Sequence, residues 1–320
     1  MVSPKTILVT GCAGFIGSNF VKQFSQRFPK AKIIGIDDLS TGRKDALDPA
    51  ITFYKGSILD EKLIEKIFTK HKPEYVFHFA ALPRVFDTIE HPRHTSEVNI
   101  IGTVALLEAS KNHRVKRFVY SSSSLVYGND TKLPMKESEN AFDPKYPYSV
   151  QKYVGEPFCK IFSELFGLDT VCLRYFTVFG PGQYGDSPYS TVICAWLESL
   201  YFPKNKKAFI TGDGNQSRDF CHVNNVVWAN ILATASKRRF VGEVFNVGSG
   251  SPIRLNEVKK FVEKYTGKQL VLARLPKRIG DVRHTCADIA KAKRLLGYKP
   301  ITDFGAGLKQ TIEWFKARRA

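Results

Sequence analysis

The sequence predicts an α/β fold, a doubly wound parallel sheet followed by a smaller C-terminal α/β lobe. Three observations predict it. Through the first half, short apolar runs alternate with longer amphipathic segments, the pattern of buried parallel strands joined by helical crossovers. At the start, ILVTG runs into a glycine-rich turn and then a helical stretch, as in dinucleotide-binding sheets. From about Val178 the pattern loosens into FGPGQYGDSPY and shorter strands, which marks a second lobe.

The first strand covers Thr6–Thr10, and the turn GCAGFIG places Gly11, Gly14 and Gly17 before the helical stretch NFVKQFSQRF. Glycines let the backbone approach a pyrophosphate, and the helix start offers free N–H groups. Phe15 and Ile16 share that turn. The second strand, Lys32–Asp37, ends in an acidic residue about 20 positions after the third glycine, where a carboxylate holds the ribose hydroxyls and repels a 2′-phosphate. NAD is therefore expected over NADP, with Arg43 as the nearby residue that would suit the extra phosphate. Further strands are expected at Tyr75–Ala80, Arg117–Ser121 and Val244–Val247, and helices at Leu255–Tyr265, Asp288–Leu296 and Phe304–Arg318. The chain is expected to cross between lobes more than once. Residues 1–177 with 220–248 form the NAD-binding part, and 178–219 with 249–320 the other.

A length of 320 residues, 43% hydrophobic and 24% charged, suits a globular chain with a sizeable core. No apolar run reaches membrane-span length, and the first residues lack a leader pattern. Cys12, Cys159, Cys172, Cys194, Cys221 and Cys286 show no CxxC spacing, so they are expected as core thiols in a reducing cytoplasm, with no metal site. The net charge of +18 is dispersed, and no basic–aromatic stretch or nucleic-acid motif accompanies it, so no nucleic-acid partner is expected.

Tyr148 and Lys152 lie four apart in YSVQK. On a helix they share a face. An ammonium there is expected to lower the phenol pKa, making Tyr148 a base for a sugar hydroxyl. Upstream, SSSSLVYG follows the strand RFVY.

With these motifs in place, the chain resembles the extended short-chain dehydrogenase/reductase family along nearly its whole length. The resemblance rests on GCAGFIG, IDDLSTG, KGSILD, HFAA, VNIIGT, SSSSLVYG, YSVQK, RYFTVFGPGQ, GDGNQSRDFCHVNNV, FNVGSG and IGDVRHTCADIAKAKRLLGY. It implies a Rossmann-type NAD-binding sheet and catalysis by Ser123, Tyr148 and Lys152. It assigns the adenosine end to Asp37 and Asp38, with Ser40, Thr41 and Gly42 following. Ser57 and Ile58 lie by the adenine, Ser57 standing where the family usually has Asp. Phe79, Ala80 and Ala81 line the groove, Asn99 fixes its position, and Ser121 and Tyr175 join the cofactor site. Dehydratases of the family carry an acid pair after the catalytic hydroxyl residue. Here Ser124 and Leu125 follow Ser123, so the resemblance points to UDP-hexose 4-epimerases, nearest the UDP-N-acetylglucosamine type.

By the same resemblance Arg218 and Arg278 reach the diphosphate, Asp281 lies near the uridine, and Ser124 and Tyr189 belong to the sugar site. Thr177 stands where most UDP-glucose 4-epimerases have Asn and is similar to UDP-glucuronate 4-epimerases. Thr285 is small where a bulky Tyr excludes N-acetyl groups in some epimerases. Arg84 would suit a uronic carboxylate if it faces the sugar. A homodimer is implied through helices at Ser96–Asn112 and Ser149–Phe166, with Pro157 expected to kink or interrupt the second. The alternatives are a UDP-glucuronate 4-epimerase, a dehydratase or reductase on the same scaffold, and a non-catalytic NAD-binding sensor.

Overall fold

The computed structural model describes residues 4–128, 132–139, 144–185, 191–203, 208–276 and 282–318. Its strands are β1 (Thr6–Thr10), β2 (Lys32–Asp37), β3 (Ile51–Lys55), β4 (Tyr75–His78), β5 (Arg117–Ser123), β6 (Thr170–Tyr175), β7 (Thr177–Phe179), β8 (Phe209–Thr211), β9 (Ser217–Arg218), β10 (Phe220–His222), β11 (Val241–Val247), β12 (Ile253–Arg254) and β13 (Ala273–Leu275). Its helices are α1 (Phe15–Arg27), α2 (Glu61–His71), α3 (Val85–Glu90), α4 (Pro92–Ser96), α5 (Gly102–Asn112), α6 (Pro147–Phe166), α7 (Val192–Tyr201), α8 (Val223–Ala235), α9 (Leu255–Thr266), α10 (Ala290–Leu296) and α11 (Phe304–Ala317).

Seven strands form one parallel sheet in the order β11-β6-β5-β4-β1-β2-β3. The order reverses between β1 and β4, the switch point at which such sheets hold ligands beyond their strand ends. Strand side chains alternate between two cores. Ile7 and Val9 pack with Phe20 and Phe24 of α1, Val226 of α8 and Leu296 of α10. Leu8 faces the opposite side, with Ile67 of α2, Leu106 of α5 and Phe162 of α6. A third core beneath the small lobe gathers Trp196, Phe220, Val258 and Phe315. Strand β11 follows the excursion through β7–β10 and pairs with β6, so a late segment completes the edge of the main sheet.

Helix α6 is not interrupted at Pro157. It runs unbroken from Pro147 to Phe166 with Pro157 inside. Pro157 is exposed, so its ring stands on the outer side of the helix, away from the sheet. The opposite face, with Tyr148, Lys152, Gly155, Glu156 and Cys159, is buried against the sheet. Gly155 permits that approach, since a Cβ there would sit 2.3 Å from Tyr120 Oη. No helix among the described residues is long and apolar enough to cross a membrane.

Candidate active site

The strand ends open into one groove of about 710 Å³, lined from both lobes. Its floor begins at the first turn. Gly11 has φ +70°, and a Cβ on it would meet Ala80 N at 2.6 Å. A Cβ on Gly17 would lie 2.1 Å from Gly11 O. Side chains at either position would fill the cradle. Gly14 caps α1 with no side-chain cap and no acid in the first turn, so the helix presents free N–H groups and a positive dipole end. At the end of β2, Asp37 accepts from Ala13 N (2.9 Å) and Leu39 N (2.8 Å). Burial raises its pKa while these backbone bonds oppose the rise. Each oxygen retains a lone pair for a ribose hydroxyl. Asp38 Oδ1 accepts from Ser40 N and Oγ, which shapes the adjoining loop. This donor set fits NAD: glycines and a helix start for the diphosphate, and a carboxylate for the ribose.

Most of the sequence-predicted residues meet here. Gly11, Gly14, Phe15, Ile16, Gly17, Asp37, Asp38, Ser40, Thr41, Ser57, Ile58, Phe79, Ala80, Ala81, Ser121, Ser123, Ser124, Tyr148, Lys152, Tyr175, Thr177, Arg84, Arg218 and Thr285 all line the groove. Two predicted residues stand behind it. A Cβ on Gly42 would press on Asp37 Oδ1 at 2.8 Å and Ala13 Cβ at 2.9 Å, so Gly42 lets the loop close on that carboxylate. Asn99, buried in a π-type turn at Glu97–Ile101, accepts from Leu82 N (2.8 Å) and donates to Leu82 O (3.1 Å) and Gln151 Oε1 (2.7 Å). It pins the turn after β4 to the helix carrying Tyr148 and Lys152. Tyr189, Arg278 and Asp281 lie outside the described residues. Ser57 Oγ accepts from Leu59 N (3.2 Å), leaving its hydroxyl proton to donate. Arg43 pairs with Asp45 at 3.2 Å and lies 4.0 Å from the Tyr184 ring centroid.

At the reaction end, Ser123 closes β5 and accepts from Leu125 N at 3.2 Å, so its O–H remains to donate into the groove. Ser121 Oγ meets Tyr175 Oη at 3.2 Å. His78 is held by Thr10 Oγ1 (2.8 Å) and Thr103 Oγ1 (2.9 Å). Burial and the Lys152 charge push its pKa well down, so it is a structural imidazole.

Tyr148 and Lys152 share the buried face of α6, as the spacing required. The expected electrostatics do not follow. Burial alone moves the Tyr148 pKa, upward, with no lowering from Lys152. The Lys152 ammonium lies 5.0 Å from the Tyr120 ring centroid, and burial pulls its pKa down to about 8. In the chain itself, desolvation outweighs the attraction that the sequence suggests. One prediction follows. The folded pKa of Lys152 lies below the ordinary lysine value, so between pH 8 and 10.5 the unfolded chain holds more protons and stability rises with pH. Lys152→Met is expected to stabilise the cofactor-free protein by about 3 kcal/mol below pH 8, and the gain should fade toward pH 10.5. Thermal melts across that range check it; a pH-independent gain would mean that packing, and not the charge, is responsible.

Sequence reasoning missed Glu156. Ser122 Oγ donates to Glu156 Oε1 at 2.5 Å, and Arg174 grips both carboxylate oxygens at 2.8 and 2.7 Å. The ion pair is almost fully buried, with side chains 4% and 5% exposed. Ser122 is thus occupied structurally. The signal was present: Tyr148, Lys152 and Glu156 repeat every four residues.

Across the groove, Arg218 donates to the backbone oxygens of Ser217 (2.9 Å) and Arg283 (3.2 Å). Thr285 Oγ1 accepts from Asp219 N at 3.1 Å. Asp219 is fully buried and accepts from Ser249 N, Ser249 Oγ, Gly250 N and Ala287 N at 2.6–2.9 Å. That single carboxylate ties together the segments presenting Arg218 and Thr285. Cations in the groove are Arg43, Arg84, Lys152 and Arg218, and its described carboxylates are Asp37 and Asp38.

Comparison with known proteins agrees with this geometry. Residues 7–248 match the NAD dependent epimerase/dehydratase family. A UDP-glucose 4-epimerase of Halalkalibacterium halodurans is 34% identical over 305 residues, covering 92% of this chain and 90% of that one. The UDP-glucose 4-epimerase of Thermotoga maritima, solved with UDP-glucose, superposes with a TM-score of 0.92 at 36% identity, over 98% of this chain and 100% of that one. A UDP-N-acetylglucosamine 4-epimerase from Methanobrevibacter ruminantium M1, solved with UDP-N-acetylmuramic acid, gives 0.91 at 36% identity over 99% and 100%.

Proposed function

The chain belongs to the NAD dependent epimerase/dehydratase family, and from that premise we propose that it interconverts UDP-hexoses at C4, accepting N-acetylated sugars. The observation that carries this reading is where the acids lie. Among the described lining residues, carboxylates occur only at Asp37 and Asp38, beside the first turn where the adenosine belongs. Elimination of water needs an acid and a base at the sugar. Here the reaction end offers Ser123, Ser124, Leu125, Tyr148 and Lys152. These suffice for proton removal from the C4 hydroxyl and its return, and no more. NAD, when bound, accepts the C4 hydride and gives it back. Tyr148 Oη, as the phenolate, would take and restore the hydroxyl proton, Ser123 would donate to the oxygen as it becomes a ketone, and Lys152 together with the positive charge that NAD brings would offset the burial that raises the Tyr148 pKa in the chain alone. With NAD held by the glycine turn and Asp37, the site would let C4 lose and regain hydrogen on opposite faces, with Tyr148 and Ser123 serving the oxygen in both directions.

Thr285, 7% exposed and held by Asp219 N just after β9, supports acceptance of the acetamido group because it is small at the sugar end. Thr285→Tyr is expected to lower kcat/KM on UDP-N-acetylglucosamine at least tenfold more than on UDP-glucose; equal losses would sink this assignment. A second reading, an acidic sugar, is favoured by Arg84. It is an exposed guanidinium on the groove wall, in the turn pinned by Asn99, and it suits a carboxylate. NMR of purified protein with UDP-N-acetylglucosamine, UDP-glucose and UDP-glucuronate decides. Epimer formation without accumulating NADH supports the proposal and ranks the sugars. A 4-keto-6-deoxy product or no turnover overturns it.

We also infer a homodimer. Ile101, Val150, Ile161, Leu165 and Phe166 stand 37–70% exposed on the π-type turn and α6, more apolar surface than isolated residues require. A one-chain mass by light scattering would overturn it.

A further inference from the structure

After β7, the described residues Pro181–Gly185 run beside α1 and border the groove. Asn19 of α1 donates from Nδ2 to Pro181 O at 2.9 Å. Gly182 comes so near that a Cβ would be 3.2 Å from the same amide and 3.8 Å from the Phe15 ring. The segment therefore passes over the first turn of α1, where a diphosphate would sit. Two residues on, Tyr184 meets Arg43 from the loop after β2, 4.0 Å from guanidinium carbon to ring centroid. That loop borders the adenosine end. Arg318, at the end of α11, lies 4.3 Å from the same ring. It is anchored by an ion pair to the fully buried Glu198 at 3.0 Å, which also accepts from Gly185 N at 3.3 Å. Gly182, Gln183, Tyr184 and Arg43 all line the groove.

We propose that Pro181–Tyr184 is a strap over the adenosine–diphosphate half of NAD, latched by the Tyr184 ring against Arg43 and Arg318, and that it sets how long NAD stays bound. The proposal rests on the NAD-dependent reading but not on the identity of the sugar. A catalyst that returns the hydride to the sugar it came from gains from keeping NAD through the cycle. A guanidinium over a ring is a contact of modest strength that can open, and its loss changes dissociation by roughly tenfold.

The test measures NAD held per chain after purification, and its loss rate into an NAD-consuming scavenger. Wild type is compared with Tyr184→Ala, Tyr184→Phe and Arg43→Met. Wild type and Tyr184→Phe, which keeps the ring, are expected to hold NAD alike. Tyr184→Ala and Arg43→Met are expected to lose it about tenfold faster. Wild-type retention by Tyr184→Ala, or loss by Tyr184→Phe as fast as by Tyr184→Ala, overturns the latch. If Tyr184→Ala does not fold, Arg43→Met carries the test, since that side chain is 47% exposed in a surface loop. Wild type that binds no NAD overturns the cofactor reading and the strap together; wild type that keeps NAD but leaves all three sugars unchanged overturns only the sugar assignment.

Discussion

Tyr148→Phe is expected to lower kcat by roughly 10²–10⁴-fold, the usual worth of a positioned proton-transfer group. The substitution removes one oxygen and leaves the ring in its place on α6. Tyr148 Oη makes no hydrogen bond that shifts its titration, so no buried partner is orphaned and the fold should melt at or slightly above the wild-type temperature. NAD should remain bound, since the glycine turn and Asp37 are untouched. The informative measurement is a single-turnover rate with the cofactor content checked. A loss under tenfold with NAD retained would mean that proton transfer runs through another group, with Ser123 the next to test. A loss accompanied by unfolding would move Tyr148 from chemistry to packing.

Glu156→Ala is expected to give the largest change in stability, about 3–5 kcal/mol. The carboxylate accepts from Ser122 and from both sites on Arg174, in a pair almost closed to water. Truncating one partner strands a buried guanidinium, which costs more than the pair itself contributes. For a chain of this length the melting temperature should drop by roughly 4–8 °C. Replacing both partners by apolar groups, Glu156→Leu with Arg174→Met, should recover much of the loss. A fall below about 1 kcal/mol for Glu156→Ala would show that water reaches Arg174. Because Ser122 adjoins Ser123 and Glu156 lies one turn beyond Lys152, the same variant should also lower kcat, while Arg174→Lys, which keeps the charge, should be milder in both.

The local parts of this molecule were legible in its sequence. Apolar runs of strand length gave β1 and β2 at the bounds observed, and the glycine spacing gave the cradle, because a Cβ clash is a property of the turn itself. The four-residue repeat placed Tyr148 and Lys152 on one helical face. Pro157 does not interrupt α6, and its place on the exposed side of the helix depends on which face packs against the sheet. Glu156 carried a readable spacing, but its partner Arg174 lies on another element, and an ion pair is visible only once both are placed. The Tyr148 pKa went the other way for the same reason: attraction between neighbours can be guessed from spacing, whereas desolvation is set by everything packed around the pair. The roles of Gly42 and Asn99 as supports behind the groove, the contacts of Arg43 with Asp45 and Tyr184, and the crossing of Pro181–Tyr184 over α1 all join residues far apart in the chain. Sequence alone determined the fold class, the glycine turn and the shared helical face of Tyr148 and Lys152, since these depend on short-range sterics and periodicity. Tertiary structure alone decided which charges are buried, which are paired, and what closes over the groove, because burial and pairing are sums over residues that meet only when the chain has folded.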